Sequence, residues 1–543
     1  MQSVSGEATD LTLSRPTPRW SGRMLISLCL IAAIGLTLGW IGRRASLAPT
    51  DSADYLTLSH SLAAGHYRDE FRPTTPPHAK YPPGLPVWLL IIQTLAGGHL
   101  EAALVANFLL LLLLAYLTAD ILRRLGAPWL GVLAGSIVLV NPALHYLAGA
   151  VAPETLFATL SMLALWLTLA NGSTLRVGHP TLAVAVAVLS FLTRSIGLAT
   201  IPAVLVPLAL GRRWKTFLVG GALSTLVVLG WFGYARRVAL HTQGQTYAID
   251  LVLIGSPKNP TNFVSEAVEK AKAHLANVGA GQFGIPDINH QPVDNAISGV
   301  LFLVFAGLGM WALRKQWPAA VAYIGFSAAI LMVYPWPQTR FLTPLVPVIT
   351  IFILVGVHWF ARRARIGRPD LVAGALGLFL AGVGLSATAT TAQEAWHCRV
   401  SSPAGNPRCD VEGHNGFRAA AVFIRDSLPR EAVIATSKPA YIFLASGHPS
   451  LLLETSLRNT NPERQTTTIA TYVLLTRLLA GEADLHGRAL LARCGTVELT
   501  KQFPVGAVLV RPIATGERPT RNACAALGQL VARVPAEEAA PTH

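Results

Sequence analysis

The stretch that decides the fold is residues 101–121, which read EAALVANFLLLLLLAYLTADI. Its two charged residues lie near the ends, and the apolar residues between them are enough for a helix to cross the hydrocarbon core of a bilayer. Similar apolar runs recur along the chain, at about 24–41, 129–148, 154–170, 180–194, 196–211, 216–234, 296–313, 318–336, 341–360 and 371–389. The sequence therefore predicts a polytopic α-helical membrane protein with about 11 transmembrane helices.

The overall composition agrees with a membrane protein. The chain has 543 residues, of which 52% are hydrophobic and 13% are charged, about half the roughly 25% charge of a soluble domain. A net charge of +15 is compatible with nucleic-acid binding, but the Arg and Lys residues are dispersed singly or in pairs between the apolar runs. This distribution excludes a nucleic-acid module, and the expected surroundings are a lipid bilayer.

The basic residues also predict the orientation, because Arg and Lys are enriched in short cytoplasmic loops. With the N-terminus inside, the inner flanks hold fifteen: Arg15, Arg19, Arg23, Arg123, Arg124, Arg176, Arg212, Arg213, Lys215, Arg314, Lys315, Arg362, Arg363, Arg365 and Arg368. The outer flanks hold about seven: Arg43, Arg44, Lys80, Arg194, Arg236, Arg237 and Arg340. The bias favours a cytoplasmic N-terminus and an external C-terminus.

This topology predicts three regions. Residues 1–23 form a cytoplasmic tail, and residues 24–390 form a transmembrane domain whose external loops are 42–100 and 235–295. Residues 391–543 form an external α/β domain, because apolar strand-like segments alternate with amphipathic helical ones. The strand-like segments include 432–435 and 507–510, and the helical ones include 416–428 and 469–479.

The cysteines agree with an external C-terminal domain. Cys29 lies inside the first span, where a thiol serves as a small apolar side chain. The other four fall in the C-terminal domain, at Cys398, Cys409, Cys494 and Cys524. Four cysteines allow three disulfide connectivities, of which we favour nearest-neighbour pairing. A zinc site is the alternative, but no C-x-x-C spacing supports it.

The first external loop contains the most informative polar residues. Asp51 precedes a helix that carries Asp54 and Tyr55, whose apolar face predicts that it lies on the membrane surface. Asp51 is well placed to cap this helix, and it is equally suited to act as a general base at the water–lipid boundary. A second apolar helix at about 85–95 is too short to cross and is expected to lie beside the membrane.

Several motifs on the predicted external side occur in a recognisable order. They are Asp51 with Tyr55, Tyr81-Pro82-Pro83, Val151-Ala152-Pro153-Glu154, Thr193-Arg194-Ser195, and Arg340-Phe341-Leu342-Thr343-Pro344. In this order the chain resembles the polyprenyl-phosphate-sugar-dependent glycosyltransferases of the GT-C fold. Within these it is similar to bacterial relatives of the protein O-mannosyltransferases and of the lipid A aminoarabinose transferase. The similarity is densest over residues 51–160.

The resemblance implies a function and a location. It implies transfer of a sugar, with inversion, from a polyprenyl-phosphate donor to an envelope glycan, lipid or protein. It also implies a bacterial inner membrane protein in which Asp51 is the catalytic base. Asp54 and Glu154 are further catalytic candidates, and Tyr55, Tyr81 and Tyr334 are expected in the substrate pocket.

Positive charge is needed on the oxygens of a departing lipid phosphate, and Arg suits phosphate through its planar, bidentate donors. Lys80, Arg194 and Arg340 are therefore the candidate phosphate ligands. Each charged candidate also has a structural interpretation. Glu154 matches an acid at a helix N-terminus, and Arg194 and Arg340 match anchors at a membrane boundary.

Two other functions agree with the span count. A transporter or flippase usually places its charges near the midplane of repeated halves, whereas the candidate charges here are external. A non-catalytic receptor would leave the charges of the first loop without a role. No cofactor is indicated; His60, His66 and His78 show no metal-ligand spacing, and a divalent metal is left open.

The orientation can be tested with reporter fusions. We expect reporters placed after Arg124, Lys215 and Arg368 to be cytoplasmic, because these residues lie in the Arg-rich loops between predicted spans. Reporters within 235–295 and at the C-terminus are expected to be external. A cytoplasmic C-terminus would contradict both the odd number of spans and the external position of Asp51.

Overall fold

The computed structural model describes residues 20–42, 51–169, 178–242, 263–283, 292–334, 339–400, 414–453, 470–477, 486–503, 506–513 and 518–532. These residues belong to two compact units. The first is helical and draws on 1–43 and 79–393; the second draws on 44–78 and 394–543. We call them the helical unit and the mixed unit.

The α-helices described are, in chain order, α1 (Gly22–Gly42), α2 (Ser52–Ala63), α3 (Gly84–Leu95), α4 (Glu101–Arg124), α5 (Pro128–Leu139), α6 (Pro142–Ala148), α7 (Pro153–Leu167), α8 (Pro180–Thr193), α9 (Thr200–Leu210), α10 (Trp214–Thr242), α11 (Phe263–Phe283), α12 (Pro292–Leu313), α13 (Pro318–Val333), α14 (Thr339–Leu342), α15 (Val346–Arg363), α16 (Pro369–Val400), α17 (His414–Ser427), α18 (Pro439–Ser446), α19 (Arg488–Leu491) and α20 (Cys524–Ala532). Proline opens α5, α6, α7, α8, α12, α13, α16 and α18, where its missing N–H would be unpaired anyway. Proline thus starts many of these helices.

The helices agree with the apolar runs of the sequence, and the chain is a multi-pass helical membrane protein. Among the described residues, five helices are long and apolar enough to cross a membrane, and α5 with α6, bent by 55°, adds a sixth if the pair is one span. Helix α3 has 12 residues, too short to cross a bilayer, as expected. The total of about 11 spans stays a prediction.

Helix α15 lies at the centre of the helical unit. In the span that ends with it, 94% of the most apolar window is buried. Its Gly356 lies against the backbone of Phe305 on α12, so closely that a Cβ would overlap the Phe305 carbonyl. Small residues let membrane helices approach in this way. Close van der Waals packing matters here, because the hydrophobic effect does not drive association between helices in lipid. The pair α12 and α15 is therefore packed backbone to backbone.

The mixed unit is built on a sheet whose five described strands run in the order β2-β1-β3-β5-β4. The strands are β1 (Ile434–Thr436), β2 (Ser450–Leu452), β3 (Tyr472–Thr476), β4 (Val497–Phe503) and β5 (Ala507–Pro512). Strand β1 is parallel to β2 and β3, whereas β5 is antiparallel to β3 and β4. The expected α/β character is therefore seen in the described part of the C-terminal region.

One predicted helix is a strand. Part of the segment 469–479 forms β3, the central strand of the sheet. Its residues Val473, Leu474 and Leu475 are all buried, so the strand is covered on both faces. A strand of this kind has a continuous apolar run rather than an alternating one. Such a short run cannot be distinguished from a buried helix by its periodicity.

The first external loop also differs from its prediction. Residues 44–78 group with the mixed unit, not with the transmembrane domain. Most of α2 is buried, and its Ala53 shares an apolar cluster with Phe417, Ile434 and Leu474. The loop that follows α2 is held by a hydrogen bond from the Ser450 N–H to the Phe71 carbonyl. Helix α2 therefore packs on protein, and the prediction of a membrane-surface helix is wrong.

A disulfide joins Cys494 and Cys524, which is one of the two bonds of nearest-neighbour pairing. It ties the 3₁₀ turn that precedes β4 to the first residue of α20. The side chains of Cys398 and Cys409 lie outside the described residues, so their pairing stays a prediction.

The disulfide can be tested by mapping and by substitution. Non-reducing peptide mapping should recover Cys494 linked to Cys524. The double variant Cys494→Ser/Cys524→Ser is expected to lose about 3–4 kcal/mol of unfolding free energy, because the bond closes a loop with a sequence separation of 30. Two alkylated thiols at these positions in untreated protein would contradict the prediction.

Candidate functional site

Arg194 lies at a break between two short helices. Helix α8 ends at Thr193, and Arg194 takes an extended conformation, with φ −156° and ψ 134°. A 3₁₀ turn over Ser195–Ala199 then leads into α9. The sequence prediction that a charge separates two short apolar segments here agrees with this geometry. The break gives the guanidinium a position at a helix end, where polar groups are available.

Arg194 forms an ion pair with Glu154. Its Nη1 lies 2.5 Å from the Glu154 Oε1, although the two residues are 40 apart in the sequence. Glu154 lies in the first turn of α7, directly after Pro153, which agrees with the helix N-terminal interpretation. Its side chain is only 4% exposed and that of Arg194 12%. The helix N-terminal interpretation of Glu154 therefore agrees with the structure, and its catalytic role stays a prediction.

The second carboxylate oxygen of Glu154 does not take part in the ion pair with Arg194. Its Oε2 is buried and has no hydrogen-bond partner within the described ranges. A buried carboxylate oxygen normally accepts hydrogen bonds, and an unsatisfied one is destabilising. The site thus contains an acceptor that the described side chains leave available.

Two guanidinium groups converge on the ring of Phe341. The Cζ atoms of Arg194 and Arg340 lie 4.8 Å and 5.1 Å from its centroid, and the Tyr334 ring meets it edge to face at 4.8 Å. Cation–π attraction favours such placement of a guanidinium over an aromatic face. Phe341 therefore holds two of the predicted phosphate ligands beside one of the predicted pocket tyrosines.

The Tyr81-Pro82-Pro83 motif approaches the same helix break. Gly84, which follows it, lies so close to the backbone of Leu192 and Thr193 that a Cβ would clash with both. The motif therefore lies against the last turn of α8, directly before Arg194. Tyr81 is buried, and the Lys80 ammonium lies 5.7 Å from its ring centroid. The helical unit thus gathers four of the sequence motifs at one helix break.

Asp51 belongs to the mixed unit, and its partner there is Lys438. The Lys438 Nζ lies 3.2 Å from the Asp51 Oδ1, and the two residues are 387 apart in the sequence. The Asp51 carboxylate makes no capping hydrogen bond, so the capping interpretation is wrong for this side chain. Of its neighbours, Asp54 lies half-buried in the first turn of α2 and Tyr55 is buried.

The three histidines of the first loop have separate surroundings. His78 is buried, with its Nδ1 2.6 Å from the Asp69 Oδ1, and His66 lies 3.4 Å from Glu70. His60 is exposed. No group of three or more His, Cys, Asp or Glu residues is arranged to hold a metal in the part of the chain that the structure describes.

Lys438 was not among the residues predicted for the site, and Phe341 was part of a quoted motif without a predicted role. Lys438 follows β1 and precedes Pro439 at the first position of α18, so a strand end and a proline-initiated helix marked a β–α turn. Phe341 lies between Arg340 and Leu342, where it is indistinguishable from an ordinary apolar residue. At neither position does a pattern of charges in the sequence predict which residue it contacts.

The architecture is that of the GT-C fold, as the sequence motifs predicted. The chain is similar to ArnT from Cupriavidus metallidurans bound to undecaprenyl phosphate, with a TM-score of 0.52, 13% identity, and coverage of 91% of this chain and 99% of that one. A second similar structure is the Archaeoglobus fulgidus oligosaccharyltransferase tethered with an acceptor peptide, with a TM-score of 0.49, 13% identity, and coverage of 85% and 70%. No protein-family model and no curated protein sequence matches the chain.

The buried ion pair generates a stability prediction. Arg194→Ala leaves the Glu154 carboxylate buried without its partner, which is expected to cost about 3–5 kcal/mol. Thermal unfolding in detergent measures the loss, and adding Glu154→Gln should restore part of it. Arg340→Ala is the matched control, because Arg340 is exposed and shares the same ring. Equal losses in the two Ala variants would contradict the importance of the pair.

Proposed function

We propose that the chain is a membrane glycosyltransferase that transfers a sugar from a polyprenyl-phosphate donor to an envelope acceptor. The observation that carries the proposal is the pair of guanidinium groups on Phe341, one of them oriented by Glu154. Such an arrangement suits the phosphate of a lipid carrier, because guanidinium groups bind phosphate oxygens in a bidentate manner. The similarity in fold to an ArnT bound to undecaprenyl phosphate supports the same donor class.

The proposed roles follow from the charge that develops during transfer. As the bond between the anomeric carbon and the phosphate oxygen breaks, negative charge grows on the lipid phosphate. Arg194 and Arg340, with Lys80, stabilise that charge. The ion pair with Glu154 holds the Arg194 guanidinium in one orientation, so little reorganisation is needed when the charge appears. Tyr81 and Tyr334 line this donor side.

Asp51 is proposed as the general base. An acceptor hydroxyl attacks the anomeric carbon from the face opposite the phosphate, which inverts that centre, and its proton passes to the Asp51 carboxylate. The polyprenyl phosphate leaves with the bonding electron pair. Lys438 orients the carboxylate through its contact at 3.2 Å. Asp54 and Tyr55 lie in the first turn of α2, directly after Asp51, as secondary site residues.

The proposed location is the external face of a bacterial inner membrane, with the N-terminus in the cytoplasm. Five described helices of membrane-spanning length support a multi-pass arrangement. The disulfide between Cys494 and Cys524 supports an oxidising compartment for the mixed unit. The proposal uses no metal ion in any step.

Substitution of Asp51 tests the role of the base. Asp51→Asn keeps the size of the side chain and a hydrogen-bond acceptor for Lys438, but it removes the proton acceptor. Loss of a general base typically lowers the rate by about 10²–10⁴. We expect transfer to fall in that range, with normal thermal unfolding and retained binding of polyprenyl phosphate.

Asp54→Asn is the matched control, since it changes the same helix turn by the same chemistry. We expect it to reduce transfer far less. A near-normal rate for Asp51→Asn, with Asp54→Asn or Glu154→Gln inactive, would assign the base to another carboxylate. Unchanged transfer in Arg194→Lys and Arg340→Lys would count against bidentate phosphate binding.

A further inference from the structure

The turn between β1 and α18 contains two adjacent buried hydroxyl groups that find no partner in the described part of the chain. Thr436 is fully buried and Ser437 is 4% exposed. The Thr436 Oγ1 and the Ser437 Oγ make no hydrogen bond to any of the described residues. Buried hydroxyls are normally paired, because removal from water without a new partner is unfavourable. Two neighbours in this state point to a partner that is not part of the chain.

The position of the turn in the sheet is typical of a binding site. Strand β1 lies between β2 and β3, parallel to both. From β1 the chain passes through α18 to β2 on one side, whereas from β3 on the other side it continues toward β4 and β5. Connections that leave neighbouring parallel strands in opposite directions open a crevice at the carboxyl ends of the strands, where ligands bind in α/β sheets. Thr436, Ser437 and Lys438 lie at that end of β1.

The charges next to the turn limit the chemistry of the ligand. Lys438 supplies hydrogen-bond donors, and the Asp51 carboxylate, 3.2 Å from its Nζ, supplies acceptors. A phosphate bound to Lys438 would lie beside a second negative charge, which is unfavourable. The hydroxyls of a sugar both donate and accept, so neighbouring hydroxyls can pair with Asp51, Lys438 and the two unpaired side chains together.

We propose that Asp51, Thr436, Ser437 and Lys438 form a subsite for the vicinal hydroxyl groups of a neutral sugar. In the context of the proposed function, on which this part rests, the sugar is the acceptor, and the acceptor class is therefore a glycan. One acceptor hydroxyl donates to Asp51, the group that takes its proton, and an adjacent hydroxyl accepts from Lys438. Ser437 and Thr436 fix the orientation of the ring.

The test is binding of neutral methyl glycosides to the full chain in nanodiscs, measured by saturation-transfer NMR with a titration. The probes are methyl glucoside, mannoside, galactoside and arabinoside, with inorganic phosphate as the competitor. We expect at least one glycoside to bind, and its Kd to rise about five- to tenfold in Ser437→Ala through loss of one hydrogen bond. Lys438→Ala should weaken binding further.

Ser450→Ala is the matched control. Ser450 is also buried and lies on the neighbouring strand β2, but its hydroxyl donates to the His448 carbonyl. This variant should lower thermal stability and leave the Kd unchanged, whereas Ser437→Ala should leave stability unchanged or raised, because it removes an unpaired group. A Kd that changes equally in both variants would overturn the proposal.

The remaining outcomes are equally decisive. Absence of glycoside binding, or displacement of the glycoside by inorganic phosphate, would overturn a neutral sugar site. Binding of polyprenyl phosphate to the same preparation is measured in parallel. If glycoside binding depends on Ser437 while polyprenyl phosphate does not bind, the sugar subsite stands and the proposed transferase fails. If only polyprenyl phosphate binds, the sugar subsite fails and the proposed transferase stands.

Discussion

The buried ion pair between Arg194 and Glu154 is the interaction on which the organisation of the helical unit depends. Removing two charges from water is costly, and their mutual attraction rarely yields a net gain in stability. The pair lies at the interruption between α8 and α9, where the backbone of Arg194 is extended. The proposed function gives this arrangement a reason, because the guanidinium that Glu154 orients is a proposed phosphate ligand.

The elements around the pair are arranged to keep it in place. Gly84 brings the Tyr81-Pro82-Pro83 motif against the end of α8, and Phe341 lies within 5.1 Å of the Cζ atoms of both Arg194 and Arg340. Each contact joins segments that are distant in sequence. The local break would otherwise leave Arg194 with a choice of rotamers, and holding one of them is what preorganisation of a charged site requires.

The mixed unit also contains an ion pair between residues that are distant in sequence, but this pair is more exposed. The pair of Lys438 and Asp51 joins residues 387 apart and ties α2 to α18. Here both side chains are partly exposed, at 20% and 28%, so desolvation is smaller and the pair can exchange with a ligand or with water. The apolar contacts of Ala53 and Phe71 hold α2 and its loop on this unit, so the ion pair is not needed for their attachment.

A feature could be predicted from the sequence when the interactions that create it are local along the chain. Apolar runs long enough for a membrane specify helices locally, and a charge between two such runs specifies a break, so the helices and the position of Arg194 were predictable. The packing of α2 was not, because its apolar face suits a membrane or a protein equally well. The strand β3 was not, because a run of five residues, four of them buried, carries no periodicity that separates a strand from a helix.

Contacts between residues that are distant in the sequence also could not be predicted from it. Lys438 is a lysine before a proline, and only the packing of α18 against α2 brings it to Asp51. The unpaired hydroxyls of Thr436 and Ser437 are ordinary β–α turn residues until their burial is known. Local rules thus specify where a charge or hydroxyl occurs, while the fold decides which of these groups is left unsatisfied. Buried hydroxyls without partners reduce folding stability, and in the proposed subsite a sugar that both donates and accepts hydrogen bonds would supply those partners beside the pair of Lys438 and Asp51.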